Sequence, residues 1–478
     1  MPLFKTARPL KTLCMEHIAR NINQMCTGHT TTTEVDQGIF DFIEPRLSHY
    51  LPCLHHVLDS KHTLRCIVIS LWSLSDADSE RHLTQIGTKG DMLEELHILP
   101  VMSDDLVPTV ICTLQQLPFL VKLTLRLQDI TETLIAGITN NCALLTGVTL
   151  TSLSFDERCL DMFTACTRLE ELVIDCAAAD DTDPDAQHAQ GLLSLPRLRV
   201  FRYDNLTREV LRIPSTTQLS LTDYAEQNIK ARWAPTFLEH VVKVCPLITS
   251  IHVDLFGEED VSLLRFLRHL SRLSLSLSPV IAANDVATDL RPVFRAVGHN
   301  MTFLRLEIGC VDLADITEYC TGLEVLNISS LHTMRELAEK RTATLPKLKT
   351  LKLSLSPTTG IHDGFPAELI KAIGANLQKI SLKDCQLSDA EFSTLLKACK
   401  FDSVRELSLS QVRGLSAWSL HDLFAASNPL ETVKLYLCPR ISRPDVNSLR
   451  HRAKLENLAV DVIMDHYDWN LSYCGPPM

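Results

Sequence analysis

One seven-residue phrase, recurring along most of the chain, constrains the fold more than any other feature. MLEELHI at 92–98, RLEELVI at 168–174 and GLEVLNI at 322–328 are near copies, and LSRLSLSLSP at 270–279 recurs as LKTLKLSLSP at 348–357. Reduced to its apolar positions, the phrase is L-x-x-L-x-L. It can be placed with its first position at 64, 93, 120, 145, 169, 198, 248, 270, 303, 323, 348, 377, 404, 430 and 455. A degenerate copy at Thr216, Leu219 and Leu221 bridges the gap between 198 and 248, and most intervals fall between 24 and 29 residues. A unit this short cannot bury its own apolar edge, so the units must stack to make a core.

Within each phrase, L-x-L sets two apolar side chains on the same face of a short strand, because strand side chains alternate. The leading leucine enters the same core from the incoming loop. LQKISLKDCQLS (377–388) and LETVKLYLCPRIS (430–442) place the small Cys385 and Cys438 where the chain turns inward. DAEFSTLLKAC (389–399) predicts the returning helix, with Phe392, Leu395, Leu396 and Cys399 at helical spacing behind Ser388 as N-cap. The pattern is identified as the leucine-rich repeat. The expectation is an α/β solenoid, parallel strands on the concave side and helices on the convex side, of about 16 irregular repeats over 61–462, with a helical segment at 1–60 and a tail at 463–478.

Chemistry is sparse by comparison. A net charge of −12 with no Lys/Arg cluster argues against phosphate-backbone binding. The 16 cysteines are scattered singly with no CxxC, which reads as reduced thiols packed as small hydrophobes. No run of some eighteen apolar residues and no apolar leader stretch is found, so the expected setting is intracellular, cytoplasmic or nuclear, with no membrane partner. The sequons at Asn205, Asn300, Asn327 and Asn470 then carry no weight. Asp181, Asp183 and Asp185 alternate like the start of a calcium loop, but Ala186 and Leu192 stand where Gly and Glu are needed. The histidines in LHH (54–56), HDLF (421–424) and MDHYDW (464–469) lack metal-ligand spacing, and neither a phosphate-cradling glycine loop nor a G-x-S-x-G elbow occurs. The chain therefore reads as a binding protein with no catalytic residue, metal or cofactor.

Polar strand positions point into the concavity and give a map of the recognition surface. The residue inside L-x-L is His97, Thr124, Val173, Arg202, His252 and Ser274, then Glu307, Asn327, Lys352, Ser381, Ser408 and Lys434. The residue after it is Asp175, Asp204 and Asp254 in the middle and Lys383 and Tyr436 late, an acidic middle followed by a more basic end. Ten of these positions are the candidate contacts for a protein target: Asp175, Arg202, Asp204, His252, Asp254, Glu307, Lys352, Lys383, Lys434 and Tyr436.

Residues 1–60 lack the ladder. Pro9 suits the first turn of a helix, and Leu10, Leu13, Cys14, His17, Ile18 and Ile22 form one helical face. After CTGHTTTTEVDQG (26–38), a second apolar segment runs IFDFIEPRLSHYLPCLHHVL (39–58). Pro9-Leu10-x-x-x-Cys14-x-x-x-Ile18 resembles the BC-box, the motif by which substrate receptors of cullin-RING ubiquitin ligases bind elongin C. The resemblance implies that Leu10 inserts into the elongin C pocket, Cys14 permits close helix approach and Ile18 extends the apolar contact, a helix-in-groove mode. The order of parts is similar to the N-terminal half of Zyg/Zer-type receptors and, more loosely, to PRAME-like proteins. It implies elongin B/C, a cullin and a protein substrate as partners. Leu51, Pro52 and Leu54 stand where a cullin-selecting box is expected, although Leu54 comes one place early for its second aliphatic position. Two other readings remain open: residues 39–58 as an F-box-like Skp1 site, or a leucine-rich scaffold whose N-terminal helix only caps Leu64, Ile67 and Ile69.

Overall fold

A computed structural model describes residues 65–465 apart from 72–73, 100–103, 180–188, 204–205, 226–235, 256–259, 278–289, 308–309, 312, 332, 335–344, 356–364, 374–375, 400, 402, 426–428, 457 and 459. These residues form two compact units, one holding 65–225 and 243–248, the other 236–242 and 249–465. In the first, strands β1 (Cys66–Ser70), β2 (Glu95–Leu99), β3 (Lys122–Arg126), β4 (Gly147–Phe155), β5 (Glu171–Ala179), β6 (Val200–Arg202) and β7 (Asp223–Ala225) pair in parallel, each with the next. The second repeats the scheme with β8 (Ser250–Leu255), β9 (Arg272–Leu277), β10 (Phe303–Glu307), β11 (Val325–Leu331) and β12 (Thr350–Leu355). It continues through β13 (Lys379–Lys383), β14 (Glu406–Ser410), β15 (Thr432–Tyr436) and β16 (Asp461–Asp465).

Parallel neighbours need a crossover, and an α-helix or a 3-10 turn supplies it between most pairs. The ladder leucines fall in register: Ile67, Leu96, Leu123, Val148, Leu172 and Phe201 stand opposite one another and are 0 or 1% exposed. At roughly 1.5–3 kcal/mol for each fully buried apolar side chain, this column contributes substantially to stability. Each unit is built as a leucine-rich-repeat solenoid, as the ladder predicts.

Three repeat frames differ from the sequence reading. Phe201 pairs with Tyr224, which makes Leu221, not Thr216, the leading residue of its repeat; Leu219 and Leu221 are both buried, so the apolar pattern fitted two frames. Leu273 and Leu275 pair with Leu304 and Leu306, so the fully buried Met301 leads, not Phe303. Phe303 instead faces the open side of the sheet, with the Arg272 guanidinium 4.6 Å from its ring centre. Leu455 ends a helix and is 73% exposed; the last strand brings Val462 and Met464 opposite Val433 and Leu435 and runs past the boundary set at 462.

Local chemistry explains the regularity of the later repeats. The helix Asp389–Cys399 begins with a reciprocal capping box, Ser388 N–H donating to Glu391 Oε2 at 2.8 Å and Glu391 N–H to Ser388 Oγ at 3.3 Å. Ser442 and Asp445 repeat that arrangement on the helix Arg443–Leu455. Asp384, Gln411 and Leu437, each the first residue after its strand, share a left-handed backbone with φ of 54, 53 and 45°. This turn drops Cys385, Val412 and Cys438 into the core, where all three are buried. A left-handed non-glycine costs on the order of 1 kcal/mol, so the same turn in three successive repeats marks a geometry the stacking enforces.

Ten described cysteines, among them Cys66, Cys142, Cys385 and Cys438, are free thiols. Burial pushes the thiols of Cys142, Cys245, Cys320 and Cys385 up to about 12, whereas Cys112 is exposed. Since the thiolate is the nucleophile, brief alkylation of the native protein should mark Cys112 and leave those four unmodified until urea is added. Mass spectrometry of the digest checks this, and labelling of Cys385 as fast as Cys112 would contradict the buried turn.

Candidate functional site: the open face of the sheets

Side chains between the ladder leucines point away from the core and make three rows across each sheet. In the first unit one row runs Cys66, Glu95, Lys122, Gly147, Glu171, Val200 and Asp223. Charges along it pair locally. Lys122 Nζ lies 3.0 Å from Glu95 Oε1, a contact that raises the lysine above its ordinary range. Arg202, in the next row, clamps Asp223 with Nε to Oδ1 at 3.0 Å and Nη2 to Oδ2 at 3.2 Å, the fork geometry that suits arginine. Asp175 lies farther along the same face, paired in register with Thr151.

Cys66 Sγ, a Glu95 oxygen and a His97 nitrogen lie within 4.8 Å of one another, a donor set that borderline metals such as zinc accept. Their closeness follows from register: Cys66 pairs with Glu95, and His97 is two residues on along the same face. Burial lowers His97, Glu95 pulling the other way, which favours the neutral imidazole. The ammonium of Lys122 already neutralises Glu95 there.

In the second unit the early strands are self-satisfied. His252 Nδ1 is 2.6 Å from Ser274 Oγ, and Arg305 Nε donates to Glu307 at 2.9 Å. Asp254 stands above the usual carboxylate range because it is partly buried and near Glu307, with His252 and Ser276 opposing the shift. Glu307 is displaced from its expected place: Arg305 occupies the row of Ser274 and Asn327, and Glu307 aligns with Ser276 and Ser329.

The later strands differ in kind. One row reads Asn327, Lys352, Ser381, Ser408 and Lys434, and the row beside it Ser329, Ser354, Lys383, Ser410 and Tyr436. Glu406, in the third row, lies 3.2 Å from Lys379 Nζ and 2.6 Å from Lys434 Nζ. Burial alone would raise its carboxyl, but the two ammoniums outweigh it and hold it below the usual range.

Of the expected contacts, Asp175 and Arg202 fall on the first unit's open face and His252, Asp254, Glu307, Lys352, Lys383, Lys434 and Tyr436 on the second's. Asp204 lies outside the described residues, as do Pro9, Leu10, Leu13, Cys14, Ile18, Leu51, Pro52 and Leu54. Lys122, Asp223, Arg305, Lys379 and Glu406 were not singled out from the sequence. Four of these belong to the row just before each L-x-L, which the same phrase identifies once its frame is set.

No protein-family model matches the chain, and no curated protein matches it by sequence. Among solved structures, it is similar to a chain of the yeast Rad7 and Elc1 complex, at 14% identity over 92% of this chain and 96% of that one, with a TM-score of 0.41. It is also similar to a leucine-rich-repeat protein of Leptospira interrogans, at 14% identity over 84% and 89%, with a TM-score of 0.31. Among the described residues no helix is long and apolar enough to cross a membrane.

Proposed function

We propose that this chain is a non-enzymatic recognition adaptor of an elongin B/C and cullin ubiquitin ligase, acting in the cytoplasm or nucleus. The N-terminal helix recruits elongin C, and the open face of the repeats holds the protein to be modified. The observation that carries this reading is the Pro9, Leu10, Cys14 and Ile18 spacing in a segment outside the ladder, placed ahead of repeats that deliver rows of polar side chains to one face. Apolar anchors at helical spacing supply docking energy, while the repeat face supplies selectivity. Residues 51–54 contribute the cullin contact in this reading.

Co-purification with elongin B/C, and separately with Skp1, tests it. The wild type is expected to retain elongin B/C and not Skp1, and the Leu10→Ala plus Cys14→Ala variant is expected to lose it with an unchanged melting temperature. Absence of elongin binding, or equal binding by both forms, would overturn the proposal. A helix that only caps the solenoid gives another signature: the double variant loses a few kcal/mol of stability, as buried truncations do, and no partner is affected.

A further inference from the structure

The two rows that cross β11 to β15 hold three lysines, five serines, an asparagine and a tyrosine, and no acid, on a chain whose net charge is −12. Each of these side chains can donate a hydrogen bond, and lysine can do nothing else. Lys352 is exposed and has no acidic partner among the described residues. The Ser410 hydroxyl is buried, its residue 6% exposed, and makes no hydrogen bond among the described residues. Buried polar groups are nearly always paired, so an orphaned donor facing a binding surface points to an acceptor brought by a ligand.

We infer that this block binds an extended, carboxylate-rich segment of a target protein. The inference rests on the open face being the target-binding surface, and it is independent of how the N-terminal helix docks. The spacing fits: parallel strands lie about 4.8 Å apart, so Lys352 and Lys434, three strands apart, are separated by roughly 14 Å. An extended peptide presents alternate side chains about 6.8 Å apart, so three acidic residues on one edge cover the same length. Lys383 sits between the two, one row over, and the serines offer hydroxyls to the peptide's carbonyls and carboxylates.

The face itself already carries a model of the contact. Lys379 and Lys434 close on the Glu406 carboxylate from either side. That is carboxylate recognition by separated ammoniums rather than by an arginine fork. The acidic balance of the whole chain, which repels long polyanions, sets nucleic acid apart as an occupant.

Fluorescence anisotropy on the full chain tests the assignment with four labelled probes: a short peptide with glutamate at alternate positions, its glutamine counterpart, its phosphoserine counterpart, and an oligothymidylate of matched charge. The glutamate peptide is expected to bind at least about tenfold tighter than the glutamine one and to weaken as salt rises from ~50 to ~300 mM. Lys352→Glu plus Lys383→Glu should lower its affinity by about tenfold or more, and Lys352→Gln plus Lys383→Gln by less. Arg81→Glu plus Lys397→Glu, an equal charge change on exposed helix faces, should not. Thermal melts confirm that each variant is folded, and the glutamine pair keeps the test valid if the glutamate pair is not. Equal binding of both uncharged and acidic peptides, or wild-type affinity in both lysine pairs, overturns the inference. Tighter binding of the phosphopeptide or the oligonucleotide through the same lysines overturns the carboxylate assignment. Neither lysine lies in residues 9–18, so elongin co-purification reports separately on the ligase reading.

Discussion

Replacing Phe201 by alanine is expected to cost the first unit about 3–5 kcal/mol, the range for removing a fully buried aromatic ring. Phe201 is 0% exposed and sits at the centre of β6, a strand of only three residues. So short a strand forms few ladder hydrogen bonds, and its place in the sheet depends on side-chain burial. The ring stacks on Tyr203 at 6.0 Å between centroids with an interplanar angle of 12°, and Tyr203 meets Phe155 edge-on at 6.4 Å. Offset and edge-to-face pairs add to the value of area burial, so truncation loses contacts as well as opening a cavity. Across the sheet Phe201 lies between Leu172 and Tyr224, and a hole there weakens both interfaces that hold the repeat. Phe201→Leu, which keeps most of the volume, should cost only about 1–1.5 kcal/mol. Urea unfolding of both variants checks this, and a loss below ~1 kcal/mol for the alanine form would show that the aromatic cluster is not what holds β6 in line.

How much of this was readable in advance follows from the physics of the repeat. L-x-L is legible because alternate strand side chains share a face, so Leu273 with Leu275, or Leu351 with Leu353, declare their orientation without a partner. The three misplaced frames each contain surplus apolar residues at competing offsets: Leu219 beside Leu221, Phe303 and Ile308 beside Leu304 and Leu306, Leu455 near Val462. There only pairing with a neighbouring strand chooses between frames, and pairing is not a local property. Residue types on the face were readable: Lys352, Lys383, Lys434 and Tyr436 lie on the rows between the ladder leucines. Their electrostatic state was not. Whether a lysine is satisfied, as Lys122 is by Glu95, or without an acidic partner among the described residues, as Lys352 is, depends on residues some 25–30 positions away that register brings alongside.

The second large effect lies on the helix side, in a buried charge network. Arg208 Nη2 meets Glu157 Oε2 at 2.7 Å and Arg208 Nε meets Glu209 Oε1 at 3.6 Å, while Arg212 Nη1 is 3.5 Å from Glu209. The side chains of Glu157 and Glu209 are 9 and 2% exposed. Arg208→Ala would remove a shared counter-charge from both buried carboxylates, and breaking a buried pair in this way costs about 3–5 kcal/mol. The sign with pH follows from Glu209. Burial already raises its carboxyl above the ordinary glutamate value, with Arg212 and Arg208 pulling it down and Glu157 adding to the rise. Removing Arg208 raises it further. An acid whose folded pKa exceeds its unfolded one binds its proton more tightly in the folded state, so the variant is most stable below the unfolded value and loses stability as pH rises through the folded one. The deficit of Arg208→Ala relative to wild type should therefore be largest at neutral pH and shrink on acidification, and adding Glu209→Gln should recover part of it at pH 7. Thermal melts from about pH 4.5 to 8 measure this directly, since the glutamate range lies at the lower end. A deficit independent of pH, or unrelieved by Glu209→Gln, would mean that Arg208 acts through packing of its stem and not as the counter-charge of the buried acids.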